Sequence, residues 1–192
     1  SNADLSYADF TFAALNGANL SYANLNDANL NGADFSYANL NGANLSGAYA
    51  YADFSYAVLR NADLSYADLS YADLSYATLN DANLLYSDLS GADLNYAILN
   101  DANLSYANLN NANLYYANLN NANLYYANLS LANLESANLE SANLAYANLE
   151  SANPVYANLE DTILYGAINI PSWIDISEAI LTPPEPEEPT TE

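Results

Sequence analysis

The chain has 192 residues, of which 23 are Asp or Glu and a single one, Arg60, is basic, for a net charge of -22. That imbalance disfavours direct binding to DNA, RNA or an anionic membrane. The absence of Cys, Met and His excludes disulfides, thiol chemistry, Cys/His zinc sites and His-based catalysis together, and no apolar run approaches the roughly 20 residues of a membrane-spanning helix.

Ser1-Asn2-Ala3 reads as the remnant of a removed tag. A leader before Ala3 would direct the protein to the periplasm or thylakoid lumen; otherwise it is expected in the cytoplasm. From Ala3 a five-residue period begins, centred on Leu5, Phe10, Leu15 and so on to Leu45. Ala48-Tyr49-Ala50-Tyr51 is one residue short. The frame restarts at Ala52-Asp53-Phe54 and runs to Gly166, making nine pentads, one quartet and 23 further pentads. Ala102 to Leu129 is its most regular stretch.

A period of five is neither that of a surface helix nor that of a half-buried strand. An Ala and a Leu separated by one residue point to the same side of an extended segment. Each pentad is therefore one short side followed by a bend. One coil cannot bury its own Leu residues, but stacked coils can, with backbones paired in parallel about 4.8 Å apart. The period by itself admits three or four sides per coil. Two core positions depart from the rule. Ala50 replaces a large central residue, so a local bend or change of twist is expected there. Pro154 removes a backbone donor near the end of the repeat.

After Gly166 the pattern fails, with Asn169 at a central position. Pro171-Ser172-Trp173-Ile174-Asp175 reads as a helix start, with Ser172 as cap and Asp175 completing a capping box. Trp173, Ile176 and Ile180 then share an apolar face, beside Ile174 and Leu181. An α-helix is expected over residues 171–182, where it closes the Leu-filled end of the rod or also meets a second copy. Residues 183–192, rich in Pro, Glu and Thr, are expected to form a disordered acidic tail.

The A(D/N)LXX motif that covers Ala3 to Gly166 resembles the pentapeptide-repeat family. The resemblance implies an all-β solenoid over residues 3–170: a right-handed, four-sided (quadrilateral) parallel β-helix, here closed by the short C-terminal capping α-helix. Leu104, Leu109, Leu114 and Leu119 would line the four sides of one coil, with Ala102, Ala107, Ala112 and Ala117 as the second inward set. Such a rod has about eight coils and is on the order of 40 Å long. The outward residues give separate support for a 20-residue coil. Tyr recurs at Tyr56, Tyr76, Tyr96 and Tyr116, and again at Tyr66, Tyr86, Tyr106, Tyr126 and Tyr146, while the intervening columns mostly carry other residues.

Acids before the central residue also form columns, as at Asp53, Asp73 and Asp93 or Asp68 and Asp88. Carboxylates about 5 Å apart could suit a metal or glycoside hydrolysis. The same columns continue as Asn113 and Asn133, or Asn108 and Asn128, and this exchange points to a structural or solvating role. No catalytic, cofactor or metal residue is assigned, and the chain is not expected to be an enzyme. Tyr76, Tyr96, Tyr115, Tyr116, Tyr125 and Tyr126 form an aromatic surface that serves either a partner or the stability of the ladder itself. Without bases beside them, they do not suit nucleic-acid stacking.

The expected function is a non-enzymatic scaffold or protein-interaction module with a protein partner. It would be a monomer, or a dimer through end-to-end or C-terminal-helix contact. The resemblance implies an alternative. One branch of the family consists of acidic rods, dimeric through C-terminal helices, that imitate duplex DNA against type II topoisomerases such as DNA gyrase. Two features depart from that branch: the stretch from Asn103 to Asn133 displays Asn and Tyr rather than acids, and no projecting loop interrupts the repeat. Many other members come from cyanobacteria and have no assigned activity. The near-perfect repetition is also that of an idealised or designed member.

Overall fold

The structure is a computed structural model that describes residues 3–182. Every regular pentad closes with the same turn. The N–H of the small residue opening the next pentad donates to the central carbonyl three places back, as in Ala8 to Leu5 (3.2 Å) and Ala112 to Leu109 (3.1 Å). The residue just before that small one is left-handed throughout, with φ of 58° at Tyr106 and 60° at Leu131. Positive φ confined to the third residue of such a turn is the type II pattern.

The remaining donors of a pentad are also paired. The N–H of the residue before the centre donates back one coil (Asn24 to Ala3, 2.8 Å), and the central N–H donates forward (Leu5 to Asn24, 2.7 Å). The left-handed residue also donates forward, as Tyr7 does to Asn26 (2.9 Å). The fifth N–H, just after the centre, donates to the side chain two residues earlier, as Ser6 does to Asp4 Oδ1 (3.2 Å). This local acceptor is why Asp or Asn fills that place: a short carboxylate or amide satisfies a backbone donor that the coil geometry leaves over.

Parallel bridges join residues 20 apart, so four pentads make a coil. They run in four columns, led by Asp4, Asp9, Ala14 and Asn19. Across the quartet the separation falls to 19, as in Asp34 to Asp53 and Tyr49 to Asp68, so the missing residue is taken up by one tightened corner. From Ala23 to Ala152 the small and central residues are buried and form one continuous apolar core along the axis. Ser87, a polar residue in the small position, is satisfied by donating to Leu84 O at 2.8 Å.

This geometry corrects the expected right-handed four-sided β-helix with its capping α-helix. Each side offers one bridging residue between two turns, too short a run for a strand, so no organised sheet forms among the described residues. What forms is a solenoid of turns tied by isolated bridges.

No α-helix is present among the described residues either. Residues 171–182 instead continue the coil. Asp175 Oδ1 accepts the N–H of Ser177 (3.0 Å), as the Asp of a pentad does. Ala179 N–H closes a turn onto Ile176 O (3.1 Å), and Ile180 bridges Ile163 at a separation of 17 residues. A short segment with three Ile and two Ser has little helix propensity to set against an open ladder edge that offers it partners. The expected dimer contact through a C-terminal helix therefore loses its element. The tail expected over 183–192 lies outside the described residues.

Pro154 fits this bonding scheme. A central N–H points toward the following coil, and the third column ends at Asn153, whose own N–H still reaches Ala132 O at 2.9 Å. Proline thus replaces a donor for which the next coil supplies no bridge.

Candidate interaction surface

The left-handed corner position penalises side chains with a Cβ by about 1–2 kcal/mol, yet Tyr occupies it repeatedly. Stacking offsets that penalty. Tyr37, Tyr56, Tyr76, Tyr96 and Tyr116 form one ladder, with ring centroids 4.8, 4.8, 5.0 and 5.2 Å apart and planes within 5°. Tyr66, Tyr86, Tyr106, Tyr126 and Tyr146 form a second, spaced 4.8 to 5.4 Å. Aromatic pairs of this kind contribute about 0.5–1.5 kcal/mol each. The second ladder ends where Gly166 follows Tyr146. The ring folds over that glycine so closely that a Cβ there would lie 2.5 Å from it.

The six tyrosines expected as a partner surface lie at the two ladders, on separate corners. Tyr76, Tyr96, Tyr115 and Tyr116 meet at the corner after the third column; Tyr125 and Tyr126 meet at the corner after the first. Tyr115 and Tyr125 stand edge-on to their neighbours, at 4.5 Å from Tyr116 and 4.6 Å from Tyr126. Desolvation pushes both phenols above the usual range, and the adjacent Tyr116 and Tyr126 add to it.

The expected cap residues also separate. Ile176 packs on the core, together with Ile170. With Ile174 these two close the end over Leu144 and Leu164. Trp173 stays 60% exposed, against Pro154 and Tyr156, and Ile180 is spent on its bridge to Ile163.

Asn side chains form a second kind of ladder. Asn113 Nδ2 donates to Asp93 Oδ1 (2.9 Å) and Asn133 Nδ2 to Asn113 Oδ1 (3.2 Å). Asp can only accept, so Asp34, Asp53, Asp73 and Asp93, bridged in succession, form an unbroken stack of carboxylates. Three of them line an open groove of about 330 Å³ at the quartet corner, with Tyr51 and Tyr71. Among the described residues no three acids gather in a metal-binding arrangement. In the first two coils the Ser6 hydroxyl and N–H hold Asp4 below the ordinary carboxylate value of 3.8, and Thr11 and Ser36 do the same for Asp9 and Asp34.

One feature of the surface escaped the sequence reading. In the fourth column the outward residue is Val58, Thr78 and then Ile98 in successive coils. The same 20-residue alignment that exposed the Tyr columns would have found it, applied to the position before the centre.

The Pentapeptide repeats family matches the chain in eight copies, over residues 1–21, 15–49, 50–81, 72–105, 102–140 and 132–168. The chain is a pentapeptide-repeat protein. Among solved structures, this pentapeptide-repeat protein is similar to trypsin-treated QnrB1, a plasmid-mediated fluoroquinolone resistance protein. Identity is 21% over 90% of this chain and 85% of that chain, with a TM-score of 0.79. HetL, a pentapeptide repeat protein involved in heterocyst differentiation regulation from Nostoc sp. strain PCC 7120, is 33% identical over 85% of this chain and 90% of that one, with a TM-score of 0.40. Rfr23 from the cyanobacterium Cyanothece 51142 is 41% identical over 57% and 64%, with a TM-score of 0.46. No curated protein matched the chain. As a member of this family the chain is non-enzymatic.

Proposed function

We propose that this pentapeptide-repeat protein binds the basic DNA-contacting surface of a type II topoisomerase such as DNA gyrase, in the place duplex DNA would take, and so inhibits it. The observation that carries this reading is the carboxylate stack from Asp34 to Asp93. It repeats a negative charge about every 4.8 Å along a rigid axis, of the same order as the axial rise of about 3.4 Å per phosphate on one DNA strand. The net charge of -22 gives the rod the field to steer toward a basic cleft. The fold shared with QnrB1 supports the shape of such an inhibitor. A cytoplasmic location accords with that target.

A gyrase supercoiling assay tests it. Inhibition that weakens at high salt and on replacing Asp53, Asp73 and Asp93 by Asn is expected. No inhibition at high protein concentration overturns the topoisomerase reading and leaves a scaffold.

A further inference from the structure

Three consecutive coils break the polar rule of the repeat on one face. Val58, Thr78 and Ile98 follow one another in the fourth column, between Asn39 below and Asn118 above. The break carries a penalty. With no Asp or Asn acceptor in place, the backbone N–H groups of Arg60, Asn80 and Asn100 make no hydrogen bond among the described residues. Asn80 Oδ1 and Asn100 Oδ1 are themselves buried without a partner. At the equivalent place Asn26, Asn110 and Asn120 each donate to a carbonyl one coil on. Unpaired polar groups reduce stability. Ala14, Tyr49, Ile163 and Ile168 also depart from the rule, near the ends or at the quartet. Among the described residues only Val58, Thr78 and Ile98 drop it in one column over three successive coils. A local rule broken in that way points to function there.

The same three coils carry a matching arrangement across the adjoining corner. Tyr56, Tyr76 and Tyr96 stack beside the apolar stripe, exposed, at 4.8 and 5.0 Å. Asp53, Asp73 and Asp93 border the tyrosines on the other side. Asp81 and Asp101 stand at the far corner of the stripe, both exposed. Each coil thus presents an acid, a tyrosine and a β-branched side chain in order. Ile98 is exposed; Val58 and Thr78 are half-buried.

We propose that this patch docks a basic, partly apolar segment of a protein partner. Apolar side chains of the segment cover Val58, Thr78 and Ile98, and its Arg or Lys groups lie over the tyrosine rings and reach the flanking carboxylates. Charge complementarity selects this occupant. Acids border the stripe on both sides in the Thr78 and Ile98 coils, and five acids against Arg60 beside Val58 leave the patch negative, which repels nucleic acid. A second copy of the chain has only Arg60 to offer. The proposal goes beyond DNA mimicry, for which an apolar stripe has no use.

The test compares the wild-type chain with V58N/T78N/I98N, which restores the Asn rule in all three coils. The probes are a fluorescein-labelled peptide of alternating Arg and Leu and an all-Arg peptide of equal charge, both read by anisotropy. The triple variant is expected to bind the mixed peptide about tenfold more weakly, to bind the all-Arg peptide as the wild type does, and to melt no lower than the wild type. The proposal is overturned if the mixed peptide does not bind the wild type or binds both proteins equally. It also falls if the variant melts lower, since the stripe would then serve folding. Supercoiling inhibition by the wild type decides the topoisomerase reading separately.

Discussion

The rings of Phe35 and Phe54 stack inside the core, one coil apart, with centroids 5.1 Å apart and planes at 13°. Phe54 follows Ala50 along the chain, in the coil whose second side carries the small residue. Large and small central residues thus offset one another where the quartet shortens the coil. Phe54→Ala should destabilise by about 3–5 kcal/mol through the cavity it leaves. Ala50→Leu should cost about 1–3 kcal/mol by overpacking. If the two sites share one volume, the double variant loses less than the sum of the single losses. Urea unfolding of the four proteins measures this.

Gly166 has φ of 71° and lies under the ring of Tyr146. Gly166→Ala should be destabilising by about 1–2 kcal/mol from the left-handed backbone, with a further steric part from the ring. Tyr146→Ala should remove only the steric part. A melting curve for G166A in both backgrounds separates the two.

Asn113 accepts from Tyr115 N–H (3.3 Å) and donates to Asp93 (2.9 Å). Asn113→Asp keeps the acceptor, loses the donor and sets one carboxylate above another. A loss of about 0.5–1.5 kcal/mol is expected from the missing hydrogen bond, with a repulsive part that salt reduces. Unfolding of N113D at low and high salt checks both.

Asp4, Asp9 and Asp34 sit below the ordinary carboxylate value because Ser6, Thr11 and Ser36 donate to their ionised forms. With folded values depressed, the stability they add is present above the unfolded value and is lost as pH falls through the folded one. The first two coils should therefore fray in acid, below about pH 3.8. Hydrogen exchange at the amides of Ser6, Thr11 and Ser36 should quicken there. Ser6→Ala should move the onset at Asp4 upward in pH.

Much of the molecule was legible from the residues alone because each pentad repeats one local solution. Alternation of Ala and Leu fixed which side chains point inward, and the Tyr columns at intervals of 20 anticipated the ladders that run along the rod. The role of Asp and Asn was also within reach, since a short polar side chain at a bend answers a backbone donor. The edge-on contacts of Tyr115 with Tyr116 and of Tyr125 with Tyr126 were not, because ring orientation depends on how the neighbouring coil packs.

The period, the inward and outward positions and the sign of the surface charge follow from residue chemistry within a coil. The remaining features come from the way the coils stack. Asp175 serves equally well as the end of a capping box begun at Ser172 and as the polar residue of a pentad, where it accepts from Ser177 N–H. The open edge left by Thr162, Ile163 and Leu164 settles it, since Ile180 N–H finds Thr162 O at 2.8 Å and Ile180 O receives Leu164 N–H at 2.8 Å. The same contact between coils turned Val58, Thr78 and Ile98, 20 residues apart, into a single stripe. Both outcomes depend on which residues the preceding coil presents, and that is a property of the stack, not of any one pentad.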